Sequence, residues 1–533
     1  MTSTTAHILI LTLVLGGSAL GARNSIPAAA TDRVVVRLSE SATDGAEVLG
    51  RLGELGERLE ISGASPLFRL DRGDVSRKRE LGLDRVFVLR LAGEGVVDRA
   101  IALLNEHSAV SLAEVDHVGR GGVGPDDYYF PSQWSLENTG QLFGNPGADI
   151  DMLRAWGVAT GHESVIVGIV DSGIDFDHPD LDGKILPGYD YVNNDNNPQD
   201  DHGHGTHVSG IAAAITDNSI GVAGVAPESR ILPVKALNSG NWGYYSWWTS
   251  AIEYAVDNGA HVINMSMGGS SYSSSMRDAV IFAYDAGVPI NAAMMNENSS
   301  VPYYPAAYSE TIAVGSTERH DYRSSFSSYG SHIDLCAPGS SIWSTLWNDT
   351  YSAWNGTSMA TPHVTGTMAL LLSREPWLDV EDLRARVRDT SEDEVGQPWE
   401  DTPGWDQYHG EGRLNAYDAL LAGDACSLVA TILDSPATVA PGSELLFTGE
   451  IRNDCGVARG FDGVVLEATG PANMSNILYS GSIQNIASGA AIEREIALSV
   501  PPAAPLGDYT IEIVVSLRGI TIGVASFEVE VQQ

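Results

Sequence analysis

Three short runs place chemically capable side chains at the ends of apolar segments. In Val170-Asp171-Ser172-Gly173-Ile174 an apolar run stops at a carboxylate and a turn. His202-Gly203-His204-Gly205-Thr206-His207-Val208-Ser209-Gly210 leads into a helical pattern with Val208, Ile211 and Ile215 on one face. In Asn355-Gly356-Thr357-Ser358-Met359-Ala360-Thr361-Pro362-His363-Val364 a serine follows a turn and opens a helical run through Val364, Met368 and Leu371. Each run has a plain structural reading. Asp171 suits an Asx-turn, and Ser358 suits a helix N-cap as well as it suits a nucleophile. His204 and His207, three apart, suit a metal site, but no glutamate is placed as in a zinc-peptidase helix and no third ligand stands out. Taken together the runs make a different case. Serine is a poor nucleophile at neutral pH unless an imidazole takes its proton, and the imidazole needs a carboxylate to fix its tautomer and stabilise its cation. Asp171, His204 and Ser358 supply those groups in the order Asp, His, Ser. A serine at a helix N-terminus also has backbone donors and the positive dipole end beside its oxygen. Pro362 reads as a first-turn proline, where a missing N–H costs nothing.

Such groups need a sheet to hold the carboxylate and helices to carry the base and the serine. From Tyr128 to about Ala422 short apolar strands recur at Val165–Val170, Ile231–Leu237, His261–Met267, Pro289–Ala293, Thr311–Ser316 and Ile333–Ala337. Helical runs at Ser246–Asp257 and Met276–Ala286 lie between them and end at Gly259 and Gly287. Apolar strands alternating with helices predict a parallel sheet covered on both faces, an α/β fold. Gly366 and Ala369 on the serine helix allow close packing against its neighbours. Ahead of this domain, residues 31–120 read as a β-α-β-β-α-β unit of ferredoxin-like type, with strands at Arg33–Leu38 and Val86–Leu91. A Gly121-Gly122-Val123-Gly124-Pro125 linker follows, and the central domain spans 125–422. From 425 to 533 the period switches to two, with Leu445, Phe447, Gly449 and Ile451 on one face, which predicts an immunoglobulin-like β-sandwich.

The net charge of −39 falls almost entirely beyond Gly121, and the only lysines are Lys78, Lys184 and Lys235. That surface repels nucleic acid and anionic membrane, and it attracts divalent cations. Residues 1–22 contain the apolar core Ile8–Leu15 followed by small residues, which is a signal-peptide length and too short for a membrane span. Export is therefore expected. Cys426 and Cys455 fall in the same late segment and are candidates for a disulfide, which leaves Cys336 as a buried thiol.

The three runs also resemble the signatures of the subtilisin-like serine proteases, as Ile169-Val-Asp-Ser-Gly-Ile174, His204-Gly-Thr-His-Val208 and Gly356-Thr-Ser-Met-Ala-Thr-Pro362. The resemblance implies a secreted serine endopeptidase made as a precursor and processed by itself, with residues 31–120 as an inhibitory propeptide. Asp171, His204 and Ser358 would be orienter, general base and nucleophile, and Asn296 the oxyanion-hole asparagine. Ser266, Met267 and Gly268 would form the edge that pairs with the substrate backbone, and Gly243 the opposite edge. Tyr304-Pro305 matches the position of a cis-proline. The family's strong calcium site would take Asp180, the Asn218 side chain, the carbonyls of Ile215, Ile220 and Val222, and Asp126. Two residues depart from the pattern: Met295 stands where glycine usually precedes the asparagine, and Tyr303 where a small residue lines the S1 pocket. A reshaped, shallow S1 is expected. The implied partners are polypeptide substrates and the chain's own propeptide, with no nucleic acid, no membrane span and a monomeric state. A non-catalytic adhesion protein on a protease scaffold and a narrow-specificity maturation protease are the rival readings.

Overall fold

The computed structural model describes residues 29–42, 45–59, 61–68, 78–79, 82–91, 97–105, 107–117, 124–423, 428–454, 463–470, 474–481 and 486–532. The expected signal peptide, the linker up to Val123 and the Cys426–Cys455 pair lie outside them. The chain divides into two compact units, Met1–Gly121 and Gly122–Gln533.

In the first unit, strands β1 (Ala29–Leu38), β2 (Ile61–Pro66), β3 (Val86–Leu91) and β4 (Val110–His117) form one sheet in the order β2-β3-β1-β4. Every pairing is antiparallel. Helices Gly45–Arg58 and Val97–Asn105 complete the β-α-β-β-α-β order. The spacing of Val48 and Leu52 puts both against Val34, Val36, Phe87 and Leu89 in one small core.

In the second unit a seven-stranded sheet carries the site. Its strands are β5 (Ile166–Asp171), β6 (Tyr189–Asp190), β7 (Arg230–Lys235), β8 (Val262–Met265), β9 (Ile290–Ala293), β10 (Ile312–Thr317) and β11 (Leu335–Pro338). Their order is β11-β10-β9-β8-β5-β7-β6, and all neighbours are parallel. The α/β fold is therefore as expected. The continuous apolar runs are buried on both faces because helices cover both. Tyr245–Asp257 and Ser274–Asp285 pack in one apolar cluster, and His204–Ala213 and Thr357–Arg374 pack in the other. Gly259 and Gly287, just past two of these helices, take the left-handed conformation predicted for them. The Thr357–Arg374 helix is buried from Thr357 through Leu372. Gly366 makes that burial feasible, since a methyl group there would lie 2.6 Å from Val225 Cβ. A hairpin of β12 (Ile342–Leu346) and β13 (Thr350–Trp354), unforeseen in the sequence, precedes this helix.

The C-terminal strands form two sheets. Strands β14 (Leu428–Asp434), β16 (Glu444–Asn453) and β19 (Ala491–Ser499) make the first. Strands β15 (Thr438–Val439), β17 (Gly463–Gly470), β18 (Met474–Gly481), β20 (Gly507–Leu517) and β21 (Ile520–Val531) make the second. Leu445, Phe447 and Ile451 alternate inward from β16 and meet Ile511, Ile513 and Val529, as a period of two requires. The turn between β20 and β21 docks on the α/β domain. Arg518 donates to the carbonyls of Leu378 and Gly287, His261 Nε2 lies 2.7 Å from Arg518 O, and Ile520 is buried in the main core. No helix among the described residues is long and apolar enough to cross a membrane.

Candidate active site

Strand β5 ends at Asp171, whose carboxylate is fully buried. Asp171 Oδ1 accepts from Ser172 N–H and lies 2.7 Å from His204 Nδ1. The carboxylate thus holds the proton on Nδ1 and leaves Nε2 as the basic nitrogen. Burial pulls the imidazole pKa down, but the charge and hydrogen bond of Asp171, with the charge of Asp200, more than reverse this and raise it above 6.5.

His204 is the first residue of its helix, and Gly203 before it is left-handed. Asp200 fixes this helix start. It accepts from the N–H groups of His202, Gly203 and Thr206, from Thr206 Oγ1 and from Ser172 Oγ. Burial would raise its pKa, yet these hydrogen bonds bring it below the ordinary value. The sequence reading missed Asp200, whose local signal is that of an Asx-turn, an aspartate accepting from the N–H groups two and three residues on. His207 is a core residue stacked on Trp354 with ring centroids 4.9 Å apart, and burial lowers its pKa to about 3. Neither it nor His204 belongs to a possible metal cluster among the described residues.

The serine helix departs from the sequence reading in two ways. Ser358 is its second residue, not its cap, because Gly356 occupies the cap position. Pro362 lies beyond the first turn, so its missing N–H leaves the Ser358 carbonyl without a helical partner. That carbonyl accepts from Ser266 Oγ at 2.8 Å, and Ser358 Oγ donates to Ser266 O at 3.2 Å. Asn264 and Thr365 extend this network. The proline therefore frees an acceptor that ties the serine to the end of β8.

Asn296 is anchored through Oδ1, which accepts from Thr357 N–H at 2.9 Å and Thr357 Oγ1 at 3.1 Å. Its Nδ2 is then the remaining donor, next to the first helical turn. Met295 has φ +72°, a conformation in which a side chain is strained and glycine is not. Its side chain lies over Gly268, where a methyl group would be 3.0 Å from Met295 Sδ. Tyr303 is half-buried, with Glu297 close enough to act together with burial in raising its phenol pKa. The Tyr304–Pro305 peptide is cis. Ser266 and Met267 are buried at the end of β8, while Gly268 is partly exposed, and Gly269 pairs with Tyr304. Gly243 lies between exposed Trp242 and Tyr244, and Tyr245 Oη reaches across to Ser271 N–H at 3.4 Å.

The expected calcium ligands cluster at the 215–222 loop. Asp180 accepts from Asn218 Nδ2 at 2.7 Å and Val222 N–H at 2.8 Å, and Ile220 N–H donates to Asn218 Oδ1. Asp126 faces outward and holds Ser219 through its N–H and Oγ. The adjacent Asp127 is the buried one. Its Oδ1 has no partner, and burial, with the Asp180 charge contributing, raises its pKa to about 6. An unpartnered buried carboxylate oxygen near a second carboxylate and an oxygen-rich loop fits a calcium ion. Asp127 thus joins Asp126 as a candidate ligand, and one carboxylate oxygen from each, with one from Asp217, lie within 4.8 Å of one another.

The Subtilase family model matches residues 162–412. The chain is similar to thermitase of Thermoactinomyces vulgaris, 44% identical over 51% of this chain and 93% of that one. It is also similar to a thermophilic serine proteinase of Bacillus sp. strain AK1, 38% identical over 61% of this chain and 76% of that one. Among solved structures, a protease from Pseudoalteromonas arctica PAMC 21717 matches with TM-score 0.50 and 29% identity, covering 56% of this chain and 99% of that chain.

Proposed function

The chain belongs to the subtilase family of serine proteases, and on that premise we propose that it is a secreted, calcium-stabilised endopeptidase that cuts itself free of residues 31–120. The observation that carries the proposal is the 2.7 Å His204–Asp171 hydrogen bond at the end of β5, with Ser358 at the head of a buried helix. His204 Nε2 takes the Ser358 proton as Oγ attacks the substrate carbonyl. Asp171 stabilises the imidazolium that forms. Asn296 Nδ2 and the Ser358 N–H receive the oxyanion, and each such donor contributes about 3–4 kcal/mol to the barrier reduction. His204 then protonates the leaving amine, and water resolves the acyl-enzyme by the same route reversed. The substrate backbone lies between the Ser266–Gly268 edge and Gly243. Met295, folded over Gly268, and Tyr303 limit the depth of S1 and favour small or slender P1 side chains.

Calcium would be held by Asp127, Asp180, Asn218 and the carbonyls of Ile215, Ile220 and Val222, where it neutralises two carboxylates that otherwise repel each other. The hairpin tip at Arg518–Ile520 supports a stabilising role for the C-terminal sandwich. The test is maturation of full-length protein. Wild type should release residues 31–120 and then digest casein. Ser358→Ala should stay full length and inactive; normal maturation of that variant would assign processing to another protease, and an inactive wild type would favour a binding protein on this scaffold.

A further inference from the structure

A second group of polar side chains, unused by the mechanism, lies in the loop between helices Val380–Asp389 and Ala416–Leu421. Asp401, Asp406 and His409 are all buried, and one ligand atom from each lies within 4.8 Å of the others. Two of those side chains end in atoms with no partner, Asp401 Oδ1 and His409 Nε2. The remaining contacts fix how they point. Asp401 Oδ2 accepts from Gly396 N–H, and Asp406 accepts from the N–H groups of Thr402, Tyr408 and His409. His409 Nδ1 is 3.3 Å from the Glu400 carbonyl, which can only accept, so the ring proton sits on Nδ1. The Nε2 lone pair is then left beside a carboxylate in a water-poor interior. Two lone-pair-bearing atoms so placed repel each other unless a cation or a proton lies between them.

We infer that Asp401, Asp406 and His409 form a binding site for a divalent transition-metal ion, represented here by Zn²⁺, separate from the calcium loop. An imidazole among the ligands distinguishes the ion, because calcium and magnesium sites are built from oxygen while imidazole suits zinc and its neighbours. A carbonyl fixing the far ring nitrogen is the usual outer support of a metal-bound histidine. Room for the ion comes from Gly396. A methyl group there would lie 2.9 Å from His409 Nε2 and 3.0 Å from Asp401 Oδ2. Metal–ligand bonds of about 2.0–2.2 Å put tetrahedral ligand atoms ~3.3 Å apart, a spacing within the reach of side chains whose ligand atoms already lie within 4.8 Å of one another. The ion would pin this loop against the neighbourhood of β11, where Gln407 O accepts from Gly330 N–H, Trp405 Nε1 donates to Ile333 O and Gly412 O accepts from Cys336 N–H.

The test uses the full protein, stripped with chelator, restored with excess Ca²⁺ and then titrated with Zn²⁺. One tightly held zinc per chain is expected, with a rise of several degrees in Tm. Gly396→Ala removes no ligand but fills the space, and His409→Gln removes the imidazole. Both should lose that zinc and its Tm increment while keeping the calcium-dependent increment, which shows that they fold. Absence of bound zinc in the wild type overturns the site, and so does equal zinc retention by both folded variants.

Discussion

Two buried carboxylates, Asp200 beneath the His204 helix and Asp127 at the 215–222 loop, differ in how their burial is compensated. Asp200 accepts from five donors, and its pKa is depressed. Asp127 accepts from Asp217 N–H through one oxygen, keeps the other unpartnered and faces Asp180, and its pKa rises to about 6. The first arrangement is complete within the protein; the second is complete only with a cation. On the proposed function, Asp200 would support His204 without an ion, whereas calcium at Asp127 would act on stability.

Substitutions at the two carboxylates and their neighbours should differ in effect, and the largest loss is expected at the base. Asp171→Asn should lower kcat about 10⁴-fold by releasing the wrong imidazole tautomer, with no rescue by calcium in a peptide-hydrolysis assay. Asp200→Ala strips the helix start of its acceptor. It should cost about 3 kcal/mol in denaturant unfolding and lower kcat as well, again without calcium rescue. Asp127→Asn should behave in the opposite way. The calcium-dependent rise in Tm should vanish, while the calcium-free variant melts no lower than the calcium-free parent, because a repelling charge has gone.

The pH dependence carries the same contrast. The folded pKa of Asp127 is raised, so its contribution to stability is present below its ordinary pKa of 3.8 and lost as pH rises through about 6. Calcium-free protein should thus gain from this group as pH falls from 7 to 5, while the calcium increment shrinks because the proton displaces the ion. Asp200, with a lowered pKa, stabilises above 3.8 and loses its contribution only as pH falls through its depressed value. Differential scanning calorimetry with and without calcium separates the two. The smallest effect is at Met295→Gly. Relief of the left-handed strain should roughly offset the added chain entropy, leaving stability within about 1 kcal/mol. A peptide library should nevertheless shift toward larger P1 residues.

Much of the fold was legible because its signals are local. Continuous apolar strands, glycines after helices and the alternation in β16 each follow from near neighbours in sequence. Asp171 and His204 were legible as an acid and a base, and the fold brings them to 2.7 Å, while Ser358 lies in the first turn of a buried helix. What sequence left open depends on burial and long-range partners. Nothing local distinguishes Asp126 from Asp127, yet one is exposed and the other buried within range of the Asp180 charge. Pro362 reads as harmless until Ser266 is seen to take the carbonyl it frees. Met295 looks like a pocket substitution, and only its φ shows why glycine would sit there without strain. The Arg518 hairpin contact joins residues far apart in sequence, a pairing no periodicity encodes.

Activation of Ser358 by His204 is the central step of the proposed reaction, and covalent labelling measures it most directly. A fluorophosphonate should form a single adduct, located at Ser358 by mass spectrometry. Its rate should rise with pH through a midpoint above 6.5, as His204 loses its proton. His204→Ala should slow labelling by about 10³-fold or more. An adduct elsewhere, or labelling of Ser358 at the same rate without His204, would show that His204 does not activate Ser358.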